Sequence, residues 1–331
     1  YAGPVWYVDG PAGVPYGNGG PGAPFTTIQS GIDAASDGDT VSVKAGTYVE
    51  NIDFSGKNIA VLGENRETTI IDGDSSGSVV TFENDEDETA SLSGFTITNG
   101  YPNGEYPYID GGGIYCSGSN PRLKNLIISN NTANKGGGVY YYASNADIEN
   151  CVISNNNVSE WGAGVYFHNG SHSITQTEVS NNIATDAAAA IHFYGSGTID
   201  LINSTIVNNS GVGLYLGHES QTASIVNSIV YGNGSEQVHI ENDDIANISY
   251  SSIPDSIWNG TGNIDVDPMF VDTANGNYHL LASSQLINAG HPDSTDSDGT
   301  VADIGAYPYL NSYSGPTWYV ETEGNDTTGT G

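Results

Sequence analysis

The chain has 331 residues, of which 39 are acidic and 6 basic, a formal charge of −33. A surface of that sign repels phosphate backbones, anionic lipids and uronate-rich polysaccharides, which argues against nucleic-acid and membrane roles. No apolar run approaches the roughly 18 residues of a membrane-spanning helix, and 44 glycines among abundant Asn, Ser and Thr, with Val, Ile and Tyr as bulky residues, suit short strands and tight turns, so the expected class is all-β.

In chain order, the first signal is a long repeat. Tyr1 to Val8 (YAGPVWYV) returns at Tyr313 to Val320 (YSGPTWYV), six of eight residues identical at an offset of 312. The expected organisation is a block over 1–312 and the start of another over 313–331, with the whole a mature or excised segment of something longer, since initiator Met and signal peptide are lacking. Phe25, Ile28, Ile32 and Ala35 then sit at helical spacing between Pro24 and Gly38. They predict a short amphipathic helix capping the block, within a cap region spanning 1–60.

Over 61–262 a shorter period runs, near 25 residues: GGGIY at Gly111, GGGVY at Gly136, GAGVY at Gly162, AAAIH at Ala188. Nested periods of this kind signal a solenoid. Aligning the glycine-led strands puts Ile114, Val139, Val165, Ile191, Leu214 and Val238 in one column. Two places on, Cys116, Tyr141, Phe167, Phe193, Leu216 and Ile240 form a second. Side chains alternate across a strand, so both columns face one way, and their apolar content says inward. The outward columns read Tyr115, Tyr140, Tyr166, His192, Tyr215, His239 and Ser117, Tyr142, His168, Tyr194, Gly217, Glu241.

About 15 residues later in each coil comes LIISNN at Leu126, CVISNN at Cys151, TEVSNN at Thr177 or STIVNN at Ser204, aligning Asn131, Asn156, Asn182, Asn209 and Asn233. Stacked Asn at a corner can bond the coils above and below. Asn125, Asn150, Gln176, Asn203 and Asn227 suggest a second corner ladder. Three strands and three turns per coil make a right-handed parallel β-helix, a three-sheet solenoid. Cys116 and Cys151 fall at different phases of the period and are expected as buried free thiols.

The segment PFTTIQSGIDAASDGDTVSVKAGTYVENI (Pro24 to Ile52) resembles the N-terminal cap of the pectate-lyase-like right-handed β-helix superfamily. DVDPMFVD (Asp265 to Asp272), NYHLLASSQLINAGHPD (Asn277 to Asp293) and DSDGTVADIGAY (Asp296 to Tyr307), within a closing segment at 263–312, resemble the ends of large secreted bacterial β-helix proteins. The GGG-I/V-Y and I-x-x-N repeats are similar to those of the chlamydial polymorphic membrane proteins, which are surface adhesins. These resemblances cover nearly the whole chain. They imply the fold and an extracellular, secreted or cell-surface location, but the superfamily includes lyases, hydrolases, epimerases, adhesins and spacers.

Function is argued from sites. Tyr115, Tyr140, Tyr142, Tyr166, His168, His192, Tyr194 and Tyr215 are candidates for glycan binding or subunit contact, since rings and hydroxyls on one face suit sugars. They suit equally an aromatic ladder between strands, or a patch covered by the insertion Tyr101 to Asp110. No catalytic set is expected. The six basic residues, Lys44, Lys57, Arg66, Arg122, Lys124 and Lys135, lie off the aromatic columns, and neither His168 with Tyr166 or His192 nor Glu241 with Asp110 has a supporting spacing.

Asp296, Asp298 and Asp303 surround a glycine turn and are candidate Ca²⁺ ligands; no organic cofactor is expected. The leading reading is a structural unit of a large extracellular fibre, stalk or surface adhesin built from tandem blocks. Copies of itself or adjacent blocks are then the partners. Trp318, Tyr319 and Val320 would open the next block or form an exchanged strand. The alternatives are a carbohydrate-binding module using the Tyr/His face and a polysaccharide lyase or glycoside hydrolase.

Overall fold

The computed structural model describes residues 3–10, 17–104, 109–185, 189–241, 244–254 and 258–310. The strands of its coils run parallel and stack coil upon coil in three main rows. The first stack opens with β1 (Val5–Val8) on β2 (Thr40–Val43) and continues through Ala60–Gly63, Ser91–Ser93, Arg122–Lys124 and Asp147–Glu149. The second holds the glycine-led strands, among them Val80–Phe82, Ile114–Ser117, Val139–Tyr142 and Val238–Ile240. The third has eight strands, from Gly46–Val49 to Ile229–Tyr231. In later coils, Val165–Thr175, Ile191–Ile202 and Leu214–Val226 turn the corner unbroken, which joins the first two stacks into one sheet.

Register follows the sequence columns. Ile114 lies opposite Val139, Val139 opposite Val165, Val165 opposite Ile191, and Ile191 opposite Leu214. All of these side chains are buried in one continuous core. Each contributes about 1.5–3 kcal/mol by leaving water. Cys116 and Cys151 are buried in that core as free thiols.

The two corner columns differ in kind. Asn131, Asn156, Asn182, Asn209 and Asn233 are buried and chained: each Oδ1 after the first accepts from the backbone N–H and the Nδ2 of the Asn one coil earlier. Gln237 receives the last amide through its Oε1. By contrast Asn125, Asn150, Gln176, Asn203 and Asn227 share a left-handed backbone, with φ between 46° and 53°. Within this column one amide pair meets, Asn150 Nδ2 donating to Asn125 Oδ1 at 3.4 Å, so the column is mainly a series of bends and not the continuous ladder its alignment suggests. Asn is frequent there because it tolerates that conformation better than other residues with a Cβ.

At the N-terminal end, α1 (Ile28–Ala34) begins at Thr27, whose side chain accepts from Ser30 N. Ile28 and Ile32 are buried in the main core, and Lys57 Nζ donates to the last carbonyls, Ile32 O and Asp33 O. β1 and β2 show that stacking starts inside the segment expected as cap. At the other end Trp258 packs on the core.

The C-terminal segment turns back instead of only closing the end. Phe270–Asp272 and Asn277–Leu280 form an antiparallel hairpin, and Leu280, Leu286 and Ile304 make a satellite core with Ile229. The segment lies along the outside of the third stack, where Ala306 N donates to Thr205 Oγ1 and Tyr307 Oη to Glu178. No helix among the described residues is long and apolar enough to cross a membrane.

Candidate functional site

The glycine-led strands place the outward aromatic columns. The strands at Ile114, Val139 and Val165 are each preceded by a glycine with positive φ, such as Gly136 at 60°, and a Cβ there would fall 2.7 Å from the Cβ of Tyr140. The loop before the strand is thereby laid over the ring that follows. Successive rings meet at one per coil: Tyr115 to Tyr140 at 5.5 Å, Tyr140 to Tyr166 at 5.3 Å, Tyr166 to His192 at 5.5 Å, His192 to Tyr215 at 4.6 Å. His239 continues the stack at 4.8 Å.

This row points away from the core, as alternation requires, yet it is not open to a ligand. Tyr140 and Tyr166 are each 3% exposed, His192 5% and Tyr115 7%. Trp161 stacks on His192 at 5.4 Å, and Lys135 Nζ sits 4.9 Å above the Trp161 ring while pairing with Glu160 at 3.5 Å. With neighbouring planes only 5° and 7° apart, the tyrosines give their faces to each other. Of the platform, ladder and covered patch that the sequence leaves open, Tyr115, Tyr140, Tyr166 and His192 form a ladder, and it is covered; the glycine run before the strands and Trp161 supply the cover.

The second outward column stays nearer solvent. Tyr142 is 40% exposed, with His168 and Tyr194 half-buried beside it. These rings meet edge to face, Tyr142 to His168 at 4.8 Å and His168 to Tyr194 at 5.1 Å. At the last rungs Tyr215 donates to Glu241, and burial together with that carboxylate pushes its phenol up to about 12. It acts as a donor, not a base. His239 Nδ1 lies 2.7 Å from Glu236.

Two chemical pairings are excluded by geometry. Asp110 precedes the strand Ile114–Ser117 and Glu241 follows Val238–Ile240, five strands further along the stack. That is about 24 Å, against the 5–9.5 Å a glycosidase pair requires. Burial raises the Asp110 carboxyl to about 6 despite the Lys135 ammonium, and its Oδ1 accepts from Lys135 N at 3.1 Å. Tyr166 and His192 are inside the covered row, so neither shares an open surface with His168.

Every basic side chain has a partner. Lys44 pairs with Glu64 at 2.7 Å, Arg122 with Asp147 at 3.3 Å, Lys124 with Glu149, and Arg66 with Glu67 and the carbonyl of Asn150. Lys57 and Lys135 are held as described above. Arg122 and Lys124 line an open groove of about 530 Å³ on the first stack with Asn58, Glu88, Thr89 and Ser91. Both residues lie off the aromatic columns, as their sequence positions imply, while the groove itself has no motif in the sequence, since it forms only where the 86–89 turn meets the sheet.

The three aspartates expected around Ca²⁺ each serve their own loop. Asp296 Oδ2 accepts from Asp303 N, Asp298 Oδ1 from Thr300 N and Oγ1, and Asp303 Oδ1 from Asn288 N. Among the described residues, no group of three or more His, Cys, Asp or Glu is placed to hold a metal ion. Trp318, Tyr319 and Val320 lie outside the described residues.

Comparison with known proteins follows the fold. The family model described as right-handed β-helix region matches residues 30–228. A crystal structure of pectate lyase Pel9A has a TM-score of 0.52 at 18% identity, covering 92% of this chain and 96% of that one. A pectin methylesterase from carrot has a TM-score of 0.30 at 14% identity, covering 80% and 90%. The first likeness shows the fold alone, and the second carries no argument. No curated protein sequence matches the chain significantly.

Proposed function

The chain belongs to the right-handed β-helix family, and we propose that within it this is a rigid structural module, one block of a large extracellular fibre, stalk or adhesin assembled from tandem blocks. The observation that carries this reading is the place of residues 3–8 in the fold. β1 is the first strand of the first stack, with Trp6 Nε1 donating to Asp39 Oδ2 at 3.0 Å and Val8 1% exposed. The sequence supplies that strand again at 313–320, with Trp318, Tyr319 and Val320 standing for Trp6, Tyr7 and Val8. Such a strand needs a β2 and an α1 to lie against, and this chain's own are already taken.

The rest of the molecule supports a load-carrying role. Its aromatic row, Asn ladder and basic side chains are spent on contacts between coils, and its charge disfavours collapse and non-specific association. Electron microscopy of native material tests the reading. Blocks in file, with an axial repeat of about 50 Å, are expected from eight third-stack strands rising roughly 4.8 Å each and a cap at both ends. Isolated single rods would overturn it.

A second reading, glycan binding, retains one specific support: Tyr142, His168 and Tyr194 occupy consecutive rungs of a face that is not fully covered. Its test is glycan affinity of a Tyr142→Ala, Tyr194→Ala double variant. Binding that survives both changes would sink it.

A further inference from the structure

We propose that the place occupied by β1 is a strand-docking site in which residues 313–320 of a second copy of this chain exchange for the resident β1, so that copies link head to tail. The proposal rests on the reading of residues 1–8 and 313–320 as equivalent strands and adds what the site recognises and who the partner is.

β1 lies in a slit with backbone partners on both sides. Along one edge it pairs in parallel with β2, Val5 opposite Thr40 and Val8 opposite Val43. Along the other, Tyr7 N donates to Gly19 O at 2.8 Å, Phe25 N to Tyr7 O at 2.9 Å and Asp9 N to Phe25 O at 2.9 Å. An extended segment entering this slit completes a sheet edge on each side, the same interaction that drives binding by strand addition.

The slit reads side chains at three positions. Gly3 donates to Gly38 O at 3.1 Å, and a Cβ on it would fall 2.3 Å from Asp39 Oδ1. Trp6 bonds Asp39 and stacks on Phe25 at 6.2 Å. Val8 is buried against α1 at Gly31, where an added Cβ would come within 2.9 Å of Val8 Cγ2. Each requirement has a counterpart in 313–320: Gly315, Trp318 and Val320.

Of the two differences, the one within the described residues falls where the slit imposes little. Val5, replaced by Thr317, is 42% exposed. Ala2, replaced by Ser314, precedes the paired strand and lies outside the described residues. The later segment thus keeps the residues the slit contacts, including the Gly-Pro that leads the backbone to Pro4 O, the acceptor of Thr40 N at 3.1 Å.

The experiment uses the chain lacking residues 1–9 and a synthetic peptide of residues 311–324, with a peptide of residues 1–10 as positive control. Saturable one-to-one binding by fluorescence anisotropy is expected, at least tenfold weaker for the Trp318→Ala peptide and unchanged within threefold for Thr317→Val. If the truncated chain does not fold, the full-length Trp6→Ala variant, whose own strand is weakened, takes its place. Sedimentation of the full-length chain supplies the second arm, with oligomers growing with concentration expected. Peptide binding alongside a strictly monomeric full-length chain would overturn exchange between copies and leave the tandem-block reading standing. Binding of 1–10 without binding of 311–324 would overturn both.

Discussion

Asn156 and Asn131 are joined twice: Asn156 Oδ1 accepts from Asn131 Nδ2 at 3.0 Å and from its backbone N–H at 3.1 Å. Asn156 Nδ2 in turn donates to Ile128 O and Asn182 Oδ1. Asn156→Ala leaves several of these buried groups unpaired, and a loss of about 3–5 kcal/mol in urea unfolding is expected. Asn156→Gly should lose as much. Asn150→Gly should lose under about 1 kcal/mol, because that position needs a left-handed backbone and its exposed amide makes only a long contact, to Asn125 at 3.4 Å. Equal losses at the two corners would contradict the distinction between ladder and bend.

Tyr140 and Tyr142 separate the covered row from the open one. Tyr140→Ala removes a ring stacked on both sides and should cost about 3–5 kcal/mol, as for other buried aromatics. Tyr142→Ala, at a position 40% exposed, should cost under about 1 kcal/mol. Thermal melts of the two variants decide the point.

Asp110 and His172 should give opposite pH slopes. Burial raises Asp110 from 3.8 to about 6, so its contribution is fully present below pH 3.8 and is lost as pH rises through 6. His172 is packed on Phe167 at 4.0 Å and accepts from Ala146 N, and burial lowers it from 6.5 to about 3. Its contribution is present above pH 6.5 and is lost as pH falls toward 3. Between pH 6 and 4, His172→Phe should therefore gain stability relative to wild type on acidification, and Asp110→Asn should lose it. Urea midpoints across that range measure both slopes, and parallel curves for all three proteins would refute the assignment.

Tyr307 anchors the returning C-terminal segment on Glu178 at 2.6 Å, and burial raises the Glu178 carboxyl. Tyr307→Phe takes away one of that carboxylate's donors and should cost about 1–3 kcal/mol. Hydrogen exchange should show the loss concentrated in 263–310, with the solenoid strands unchanged. A uniform increase in exchange would show instead that the segment and the solenoid unfold together.

What the sequence determined by itself is the inward apolar columns and the buried Asn column that repeat with the coil. Each coil packs on its neighbours through equivalent positions, so inward Ile114, Val139 and Val165, and the chained Asn131, Asn156 and Asn182, appear as columns once the period is known. The helix at Ile28–Ala34 was legible for a similar reason, from local spacing and its position before the first coil. The tertiary structure decided what breaks the period. Trp161 and Lys135 close over Tyr166 and His192 from the turns, and alternation along a strand says which way a ring points but not what covers it. Tyr307 meets Glu178 across 129 residues of chain. A contact made once, between elements of different kind, leaves no periodic trace for the sequence to show.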